Sequence, residues 1–227
     1  MSFQIEIGCQ RMLRIRPAAA LDAEMLARLF DEADGGLSRP RWAAAALPGQ
    51  TPWAVGAAEI ASNWSRQALR DAWVAEGDGM VVGAILAYRM TPALIGMDQP
   101  YARLKTLVLG SWYIDSLAVL ESRRHSGVGR SLLRAADDAA RRAGCTRLSL
   151  LVYDNNPAAA ALYARCGFTQ TYAHPLPPEH PIGARSLLLL QGKIGDHQDT
   201  GTQDHAGAGT RSHRSNLPVN ALKRRLR

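Results

Sequence analysis

Residues 119–131 read Val-Leu-Glu-Ser-Arg-Arg-His-Ser-Gly-Val-Gly-Arg-Ser, and this stretch decides the fold. It joins an apolar run typical of a strand, residues 112–120, to an amphipathic pattern that predicts a helix over 127–143. A glycine-containing turn that opens into a helix points several backbone N–H groups at one spot, where the helix dipole adds positive potential. With Arg123, Arg124 and Arg130 around it, the turn predicts a site for a pyrophosphate.

The spacing of the glycines distinguishes between known pyrophosphate motifs. A Walker loop ends in Gly-Lys-Ser/Thr, and this turn has no lysine; a Rossmann fingerprint needs a third glycine where Leu132 stands. The pattern Arg124-x-x-Gly127-x-Gly129 instead resembles motif A of the GNAT acyltransferase superfamily, which holds the pyrophosphate of acetyl-CoA. His125 departs from that motif, because many members have a further glycine there.

A second segment carries the same resemblance. Residues 156–168 match Asn-x-x-Ala-x-x-Leu-Tyr-x-x-x-Gly-Phe, which is similar to GNAT motif B, and they follow motif A after one helix and one strand. The resemblance extends over about residues 12–192 and is strongest over 112–175.

The order of predicted elements agrees with this family. Apolar spacing and turn residues predict strands and helices in the following order: a strand at 12–17, helices at 20–33 and 39–64 (broken at Pro48-Gly49), a hairpin over 72–88 turning at 77–79, a short helix within 102–108, a strand at 112–120, a helix at 127–143, a strand at 146–153, a helix at 157–166, and strands at 168–173 and 185–190. The resemblance implies a mixed α/β fold, in which about four helices flank a central, mixed, mostly antiparallel sheet of six to seven strands. Its fourth and fifth strands, 112–120 and 146–153 here, are expected to splay apart.

The resemblance also implies which residues bind acetyl-CoA. Three groups are expected: the pyrophosphate turn, the strand that aligns pantetheine, and the helix of the second motif. They comprise Arg124, His125, Ser126, Gly127, Val128, Gly129, Arg130 and Ser131; Leu117, Ala118 and Val119; and Asn156, Ala159 and Tyr163. The Val119 N–H is the candidate to polarise the thioester carbonyl. Asn156 before Pro157 fits a helix N-cap as well as a coenzyme contact, and the two roles are compatible.

Two residues are candidates for catalysis. By family pattern, Tyr163 protonates the departing thiolate, although its helical stripe also fits a core tyrosine; general acid help of this kind is worth roughly 10²–10⁴ in rate. Asp115 is a carboxylate inside an apolar strand, and strict alternation groups it with Tyr113, Leu117 and Val119. It is a candidate general base, but bonding a neighbouring strand or positioning substrate would explain it equally. Glu32 and Glu76 are weaker candidates for the base.

Other side chains have simpler interpretations. Gly167 fits a left-handed residue at a helix end. The tryptophans at 42, 53 and 64 are expected in the core, with one of them lining the acceptor pocket. Cys9, Cys145 and Cys166 are odd in number and widely spaced, which indicates neither disulfides nor a metal site.

Composition sets the broad class. The chain has 227 residues, a hydrophobic fraction of 47% and no run long enough to span a membrane, and its N-terminus lacks a signal sequence, so we expect a cytoplasmic protein. The net charge of +7 divides into +4 for residues 191–227 (seven cations, three anions) and +3 for the rest (twenty and seventeen). We expect an extension at 1–11, a catalytic domain at 12–192 and a disordered basic tail at 193–227.

These observations lead to one main hypothesis and two alternatives. The main one is an N-acetyltransferase that moves an acetyl group from acetyl-CoA to a primary amine by direct attack in a ternary complex, with no metal. The alternatives are an inactive acyl-CoA-binding regulatory module and a nucleic-acid-associated acetyltransferase guided by the basic tail. Expected partners are acetyl-CoA and a small-molecule or peptide amine; a homodimer is compatible with the family, whereas a membrane or nucleic acid is not the expected partner.

Overall fold

The computed structural model describes residues 13–63, 72–95 and 101–195. The expected N-terminal extension, Trp64 and all but the first three residues of the expected tail lie outside these ranges. Seven strands are described: β1 (Arg14–Pro17), β2 (Ala72–Gly77), β3 (Met80–Arg89), β4 (Trp112–Val119), β5 (Arg147–Tyr153), β6 (Thr169–Pro175) and β7 (Ser186–Lys193). The α-helices of the described residues are α1 (Ala23–Ala33), α2 (Ser38–Ala45), α3 (Pro52–Asn63), α4 (Ala102–Thr106), α5 (Val128–Arg142) and α6 (Pro157–Arg165).

The strands form one mixed sheet in the order β1-β2-β3-β4-β5-β7-β6. Neighbouring strands are antiparallel except for β4 and β5, which are parallel because α5 crosses between them. The hairpin of β2 and β3 turns on Asp78 and Gly79, whose φ angles of 55° and 74° are those of a type I′ turn. The predicted fold class is confirmed.

Strands β4 and β5 splay apart, as expected from the resemblance. They pair only from Trp112 to Ile114, against Leu148 to Leu150. Beyond that point β4 stays paired with β3 as far as Val119, while β5 stays paired with β7 as far as Tyr153. We call the resulting gap between residues 115–119 and 151–153 the fork.

A bulge at Asp115 corrects the expected side-chain alternation in β4. Leu86 of β3 opposes Ser116, and the next residue, Ala87, opposes Ile114, so Asp115 has no partner of its own. The extra residue reverses the parity of the strand. Leu117 and Val119 therefore pack with Ile114 in the cluster under α5, whereas Tyr113 packs on the opposite face, beside Asp115. The predicted grouping of Asp115 with Tyr113 is confirmed, and its grouping with Leu117 and Val119 was wrong.

The two faces of the sheet carry separate cores. One face packs against α5 and α6, around Leu132, Leu133 and Leu148; the other packs against α1–α3, around Leu26 and Trp42. Helix α3 begins at a capped residue, because the Thr51 hydroxyl accepts a 3.1 Å hydrogen bond from the N–H of Ala54.

The C-terminal end of the sheet is tied to α5. Strand β7 extends to Lys193, and the N–H of Gly195 donates to the carboxylate of Asp137 at 3.0 Å. Asp137 also pairs with Arg141 and is only 4% exposed, although helical spacing gives it a place on the polar face. Among the described residues, no helix is long and apolar enough to cross a membrane.

Candidate active site

The turn that precedes α5 has the backbone of an anion-binding loop. A short 3₁₀ turn, Glu121–Arg123, leads through His125 at φ 62° to Gly127 at φ 84°, and α5 begins at Val128. Two left-handed residues directly before a helix turn the amides toward the same side as the first free N–H groups of the helix. The φ of His125 lies in the left-handed region, which glycine adopts at less cost, so this position favours the further glycine of the motif over the histidine found here.

The two motif glycines serve different purposes. A Cβ added to Gly127 would meet no atom within 4 Å, so its φ, and not crowding, favours glycine at this position. A Cβ on Gly129 would lie 3.1 Å from Cδ2 of Leu162, so this glycine allows α5 to start close to α6. Val128 between them is buried in the core and fixes the helix start.

Ion pairs and hydrogen bonds hold the loop to its surroundings. Arg123 pairs with Asp78 in the β2–β3 turn, and the Ser126 hydroxyl donates to the carbonyl of Arg123 at 2.5 Å. Arg124 pairs with Glu32 of α1, and its Nε donates to the carbonyl of Val119 at 3.3 Å. The guanidinium of Arg124 thus lies between α1 and the end of β4.

The backbone of β4 presents alternate residues to the fork. The N–H of Leu120 donates to Val82 on β3 at 2.9 Å. Because backbone groups alternate along a strand, Ala118 also faces β3, whereas Leu117 and Val119 face the fork. The carbonyl oxygen of Ala118 lies 3.0 Å from the position that a Cβ on Gly83 of β3 would take, which agrees with Ala118 facing β3. Of the three residues expected to align pantetheine, Leu117 and Val119 therefore point their backbone groups at the fork and Ala118 does not.

The helix of the second motif borders the same region. The side chain of Asn156 accepts a 3.1 Å hydrogen bond from the N–H of Ala159, so Asn156 caps α6. Tyr163 is 6% exposed, and its ring packs against Phe168 with centroids 5.6 Å apart. Burial raises the pKa of Tyr163, so its hydroxyl keeps its proton at neutral pH. Gly167 follows at φ 78°, as expected of a helix end.

Asp115 lies among polar groups on the face opposite α5. Its Oδ1 accepts a 3.1 Å hydrogen bond from the hydroxyl of Tyr88 and lies 3.6 Å from Nζ of Lys105 on α4. Burial, followed by the charge of Asp115, raises the pKa of both Tyr88 and Tyr113. The phenol of Tyr113 also interacts electrostatically with that of Tyr163, although the two rings belong to clusters on opposite faces. Both candidate catalytic residues thus contribute to the raised pKa of Tyr113, which lies beside the start of the fork.

A group of aromatic and histidine side chains on this face was missed by the sequence analysis. The hydroxyl of Tyr101, at the start of α4, is 3.0 Å from Nε2 of His180, and the ring of Tyr153 at the end of β5 lies 5.5 Å from the His180 ring. The Nδ1 of His180 accepts from the N–H of Ile182 at 3.3 Å, and His174 of β6 lies 6.1 Å from the Tyr101 ring. These residues come from segments far apart in the chain, so no local spacing could have revealed them.

The remaining candidates have structural partners. Glu32 pairs with Arg124, and Glu76 pairs with Arg16 at 2.6 Å. Both of the weaker candidates for the general base are therefore bound to an arginine. Trp42 is buried, with its ring 6.3 Å from that of Trp53 and its Nε1 donating to Glu59 at 3.1 Å. Cys145 and Cys166 are buried free thiols. No cluster of metal-ligating side chains occurs within the described ranges.

Comparison with known proteins agrees with this geometry. The family model described as the acetyltransferase (GNAT) family matches residues 40–168, and a search of curated proteins finds no match. Among solved structures, an acetyltransferase aligns with TM-score 0.58 and 23% identity over 80% of this chain and 99% of its own. Ribosomal-protein-alanine N-acetyltransferase from Brucella melitensis aligns with a TM-score of 0.55 and 23% identity, over 80% of this chain and 99% of its own. The structure of yncA from Salmonella typhimurium with its cofactor acetyl-CoA aligns with a TM-score of 0.54 and 19% sequence identity. The alignment covers 86% of this chain and 99% of yncA.

Proposed function

The chain belongs to the acetyltransferase (GNAT) family, and from that premise we propose that it transfers an acetyl group from acetyl-CoA to a primary amine. The observation that carries the proposal is the fork, which opens directly beside the turn at residues 121–127, here named the anion loop. The loop offers amides and Arg124 to a pyrophosphate at one end, and the fork offers unpaired strand edges to an extended arm. A ligand that is anionic at one end and extended at the other suits this arrangement.

The direction of the ligand in the fork follows from the position of the loop. The loop follows Val119, whereas the strands meet near Asp115, about 13 Å farther along an extended strand. With the pyrophosphate at the loop, the thioester end points toward Asp115. Leu117 and Val119 then hydrogen-bond the arm. Because Leu117 lies closer to the reacting end, we propose its N–H, in place of that of Val119, as the donor to the thioester carbonyl.

The proposed mechanism is direct attack by the amine within a ternary complex. Asp115, directly or through water, takes a proton from the incoming ammonium, and the neutral amine attacks the acetyl carbonyl. Tyr163 donates its phenolic proton to the departing thiolate; its buried hydroxyl is protonated at neutral pH, as that role requires. Holding amine and thioester together supplies much of the rate.

The amine enters from the face that bears Asp115. That face carries Tyr88, Tyr101, Tyr153 and His180, from four separate segments of the chain. Such a surface combines aromatic rings with hydroxyl and imidazole groups, which suits recognition of a polar acceptor through both stacking and hydrogen bonds.

A thiol-release assay with a panel of amines tests the proposal. The panel contains amino acids, a polyamine, an aminoglycoside and a peptide with a free N-terminus, each offered with acetyl-CoA. We expect one class to accelerate thiol release and to appear acetylated by mass spectrometry. Acetyl-CoA binding by calorimetry without transfer to any amine would instead favour the inactive regulatory module, and the absence of binding would contradict the site itself.

A further inference from the structure

Lys105 is placed as an acceptor amine would be placed. It lies on α4, and its Nζ is 3.6 Å from Oδ1 of Asp115 and 5.4 Å from the ring centroid of Tyr113. Its side chain is only 15% exposed, so the ammonium is held against the sheet. Asp115 stands at the bulge where β4 leaves β5, which is the end of the fork toward which the thioester points.

The choice of lysine at this position is itself informative. Only three of the 27 Lys and Arg residues are lysines, at positions 105, 193 and 223. Other ion pairs described above, such as Arg16–Glu76 and Arg123–Asp78, use arginine. An arginine would serve as a counter-ion for Asp115 at least as well, because its guanidinium can bond a carboxylate with two donors. Unlike a guanidinium, a lysine amine becomes a nucleophile when it loses a proton, and here it contacts the group proposed to remove that proton.

The geometry points to Lys105 as an acceptor within the chain, so that the enzyme acetylates its own Nζ; this inference rests on the proposed function. Asp115 takes one proton from the Lys105 ammonium, and the amine nitrogen forms a bond to the acetyl carbonyl carbon of acetyl-CoA. The carbon–sulfur bond breaks, the thiolate leaves and takes a proton to become free CoA, and the nitrogen loses a second proton to give the neutral amide. No oxidant, reductant or other reactant is needed.

Self-acetylation changes the charge beside Asp115. The amide formed on Lys105 no longer carries an ammonium, so Asp115 loses that ion pair and keeps the hydrogen bond from Tyr88. The modification would thus remove a cation from the path of an incoming ammonium.

The test is to incubate the full chain with isotope-labelled acetyl-CoA and no added amine. Peptide mass spectrometry then follows the label on the three lysines. Since a held amine reacts as an intramolecular partner, we expect Lys105 to be labelled about tenfold or more faster than exposed Lys193. The rate per molecule should not change when the protein is diluted. Equal labelling of both residues, or a rate that falls on dilution, would overturn the inference.

Two matched variants separate this inference from the proposed function. Lys105→Arg keeps the positive charge but cannot be acetylated, so thiol release without added amine should fall to background, whereas Lys193→Arg should leave it unchanged. Transfer to an added amine with Lys105 unlabelled would refute self-acetylation and leave the proposed function standing. Failure of acetyl-CoA to bind would refute both.

Discussion

At the scale of single residues, Gly127 tests whether the proposed coenzyme site depends on backbone conformation. Its φ of 84° is costly for any residue with a Cβ, by about 1–2 kcal/mol, although space for the Cβ exists. We expect Gly127→Val to weaken acetyl-CoA binding at least tenfold, because a branched side chain disfavours the left-handed turn that would present the loop amides to the pyrophosphate. Calorimetric titration measures the affinity.

Gly144 supplies the control for this substitution. It follows the end of α5 at φ 68° and likewise has open space at its Cβ position. Gly144→Val should therefore lower the free energy of unfolding to a similar extent while leaving coenzyme affinity unchanged. Equal affinity in both variants would contradict the assignment of the loop.

Tyr163 provides a second prediction at this scale. Tyr163→Phe keeps the ring against Phe168 but removes the proposed proton donor, so turnover should fall by roughly 10²–10⁴ with little change in coenzyme affinity. Because burial raises the pKa of Tyr163 above its ordinary value of 10.0, the phenol remains protonated below that pH. The wild-type pH–rate profile should show no loss of activity from this group below about pH 10. Unchanged turnover in the variant would exclude the acid role.

Some of the site residues could be predicted from the sequence, and others could not. The motif positions of Gly127, Gly129 and Asn156 indicated the turn and the helix cap, because these features depend on local backbone geometry. The surroundings of Asp115 were not predictable, since a bulge with no local signature reverses the parity of β4. Lys105 and His180 were missed because they approach the fork only through tertiary structure.

At the scale of elements, the pair between Glu32 and Arg124 connects α1 to the anion loop. A pyrophosphate that engages Arg124 competes with Glu32 for the same guanidinium. We expect Glu32→Gln to raise coenzyme affinity by up to about fivefold, the range of an exposed ion pair. Glu24→Gln is the control, because Glu24 pairs with Arg28 on the same helix. A loss of affinity in Glu32→Gln would show that Glu32 positions Arg124 instead.

The cap of α6 gives a second test at this scale. Asn156→Ala removes the hydrogen bond to Ala159 and should lower the free energy of unfolding by about 1 kcal/mol, measured by denaturant titration. Asn156→Ser keeps a capping oxygen and should cost less. Thr51→Ala removes the cap of α3 and serves as the control, with a similar loss of stability expected. If Asn156→Ser keeps full stability but binds the coenzyme more weakly, Asn156 contacts the coenzyme directly.

Elements with strong local signals were predictable. Gly77, Asp78 and Gly79 predicted the β2–β3 hairpin, and the apolar stripe of residues 127–143 predicted α5 to within one residue at each end. The burial of Asp137 was not predictable, because helical periodicity places it on the polar face and the chain that follows β7 reaches it at Gly195 only through tertiary structure. Local pattern thus determines the element, while its neighbours determine which polar residues are buried.

At the scale of the whole molecule, Asp22 joins β1 to the start of α1. Its carboxylate accepts two hydrogen bonds from Arg16, at 2.8 and 2.9 Å, and one from the N–H of Ala19 at 2.7 Å. The Arg16 hydrogen bonds hold the pKa of Asp22 below its ordinary value of 3.8. Because the folded-state pKa is the lower one, this stabilisation is complete above that pH and is lost as the pH falls below it.

Asp22→Asn tests this contribution. We expect the variant to lose about 2 kcal/mol at neutral pH, because a charged hydrogen-bonding partner of Arg16 is removed, and to approach the wild type as the pH drops below 3.8. Denaturant unfolding across pH measures the difference. Asp138→Asn, at an exposed pair with Arg141, should change stability little at any pH. A difference independent of pH would contradict the role of the Asp22 charge.

The splaying of β4 from β5 has a consequence for solvent exchange. The amides of Leu117 and Val119 face the fork without a strand partner, whereas those of their neighbours are bonded to β3. In the free protein these two amide protons should exchange rapidly with deuterated water, despite lying in the middle of a sheet. Slow exchange at these positions, once a ligand occupies the fork, would make two native amides reporters of its occupancy without any added label.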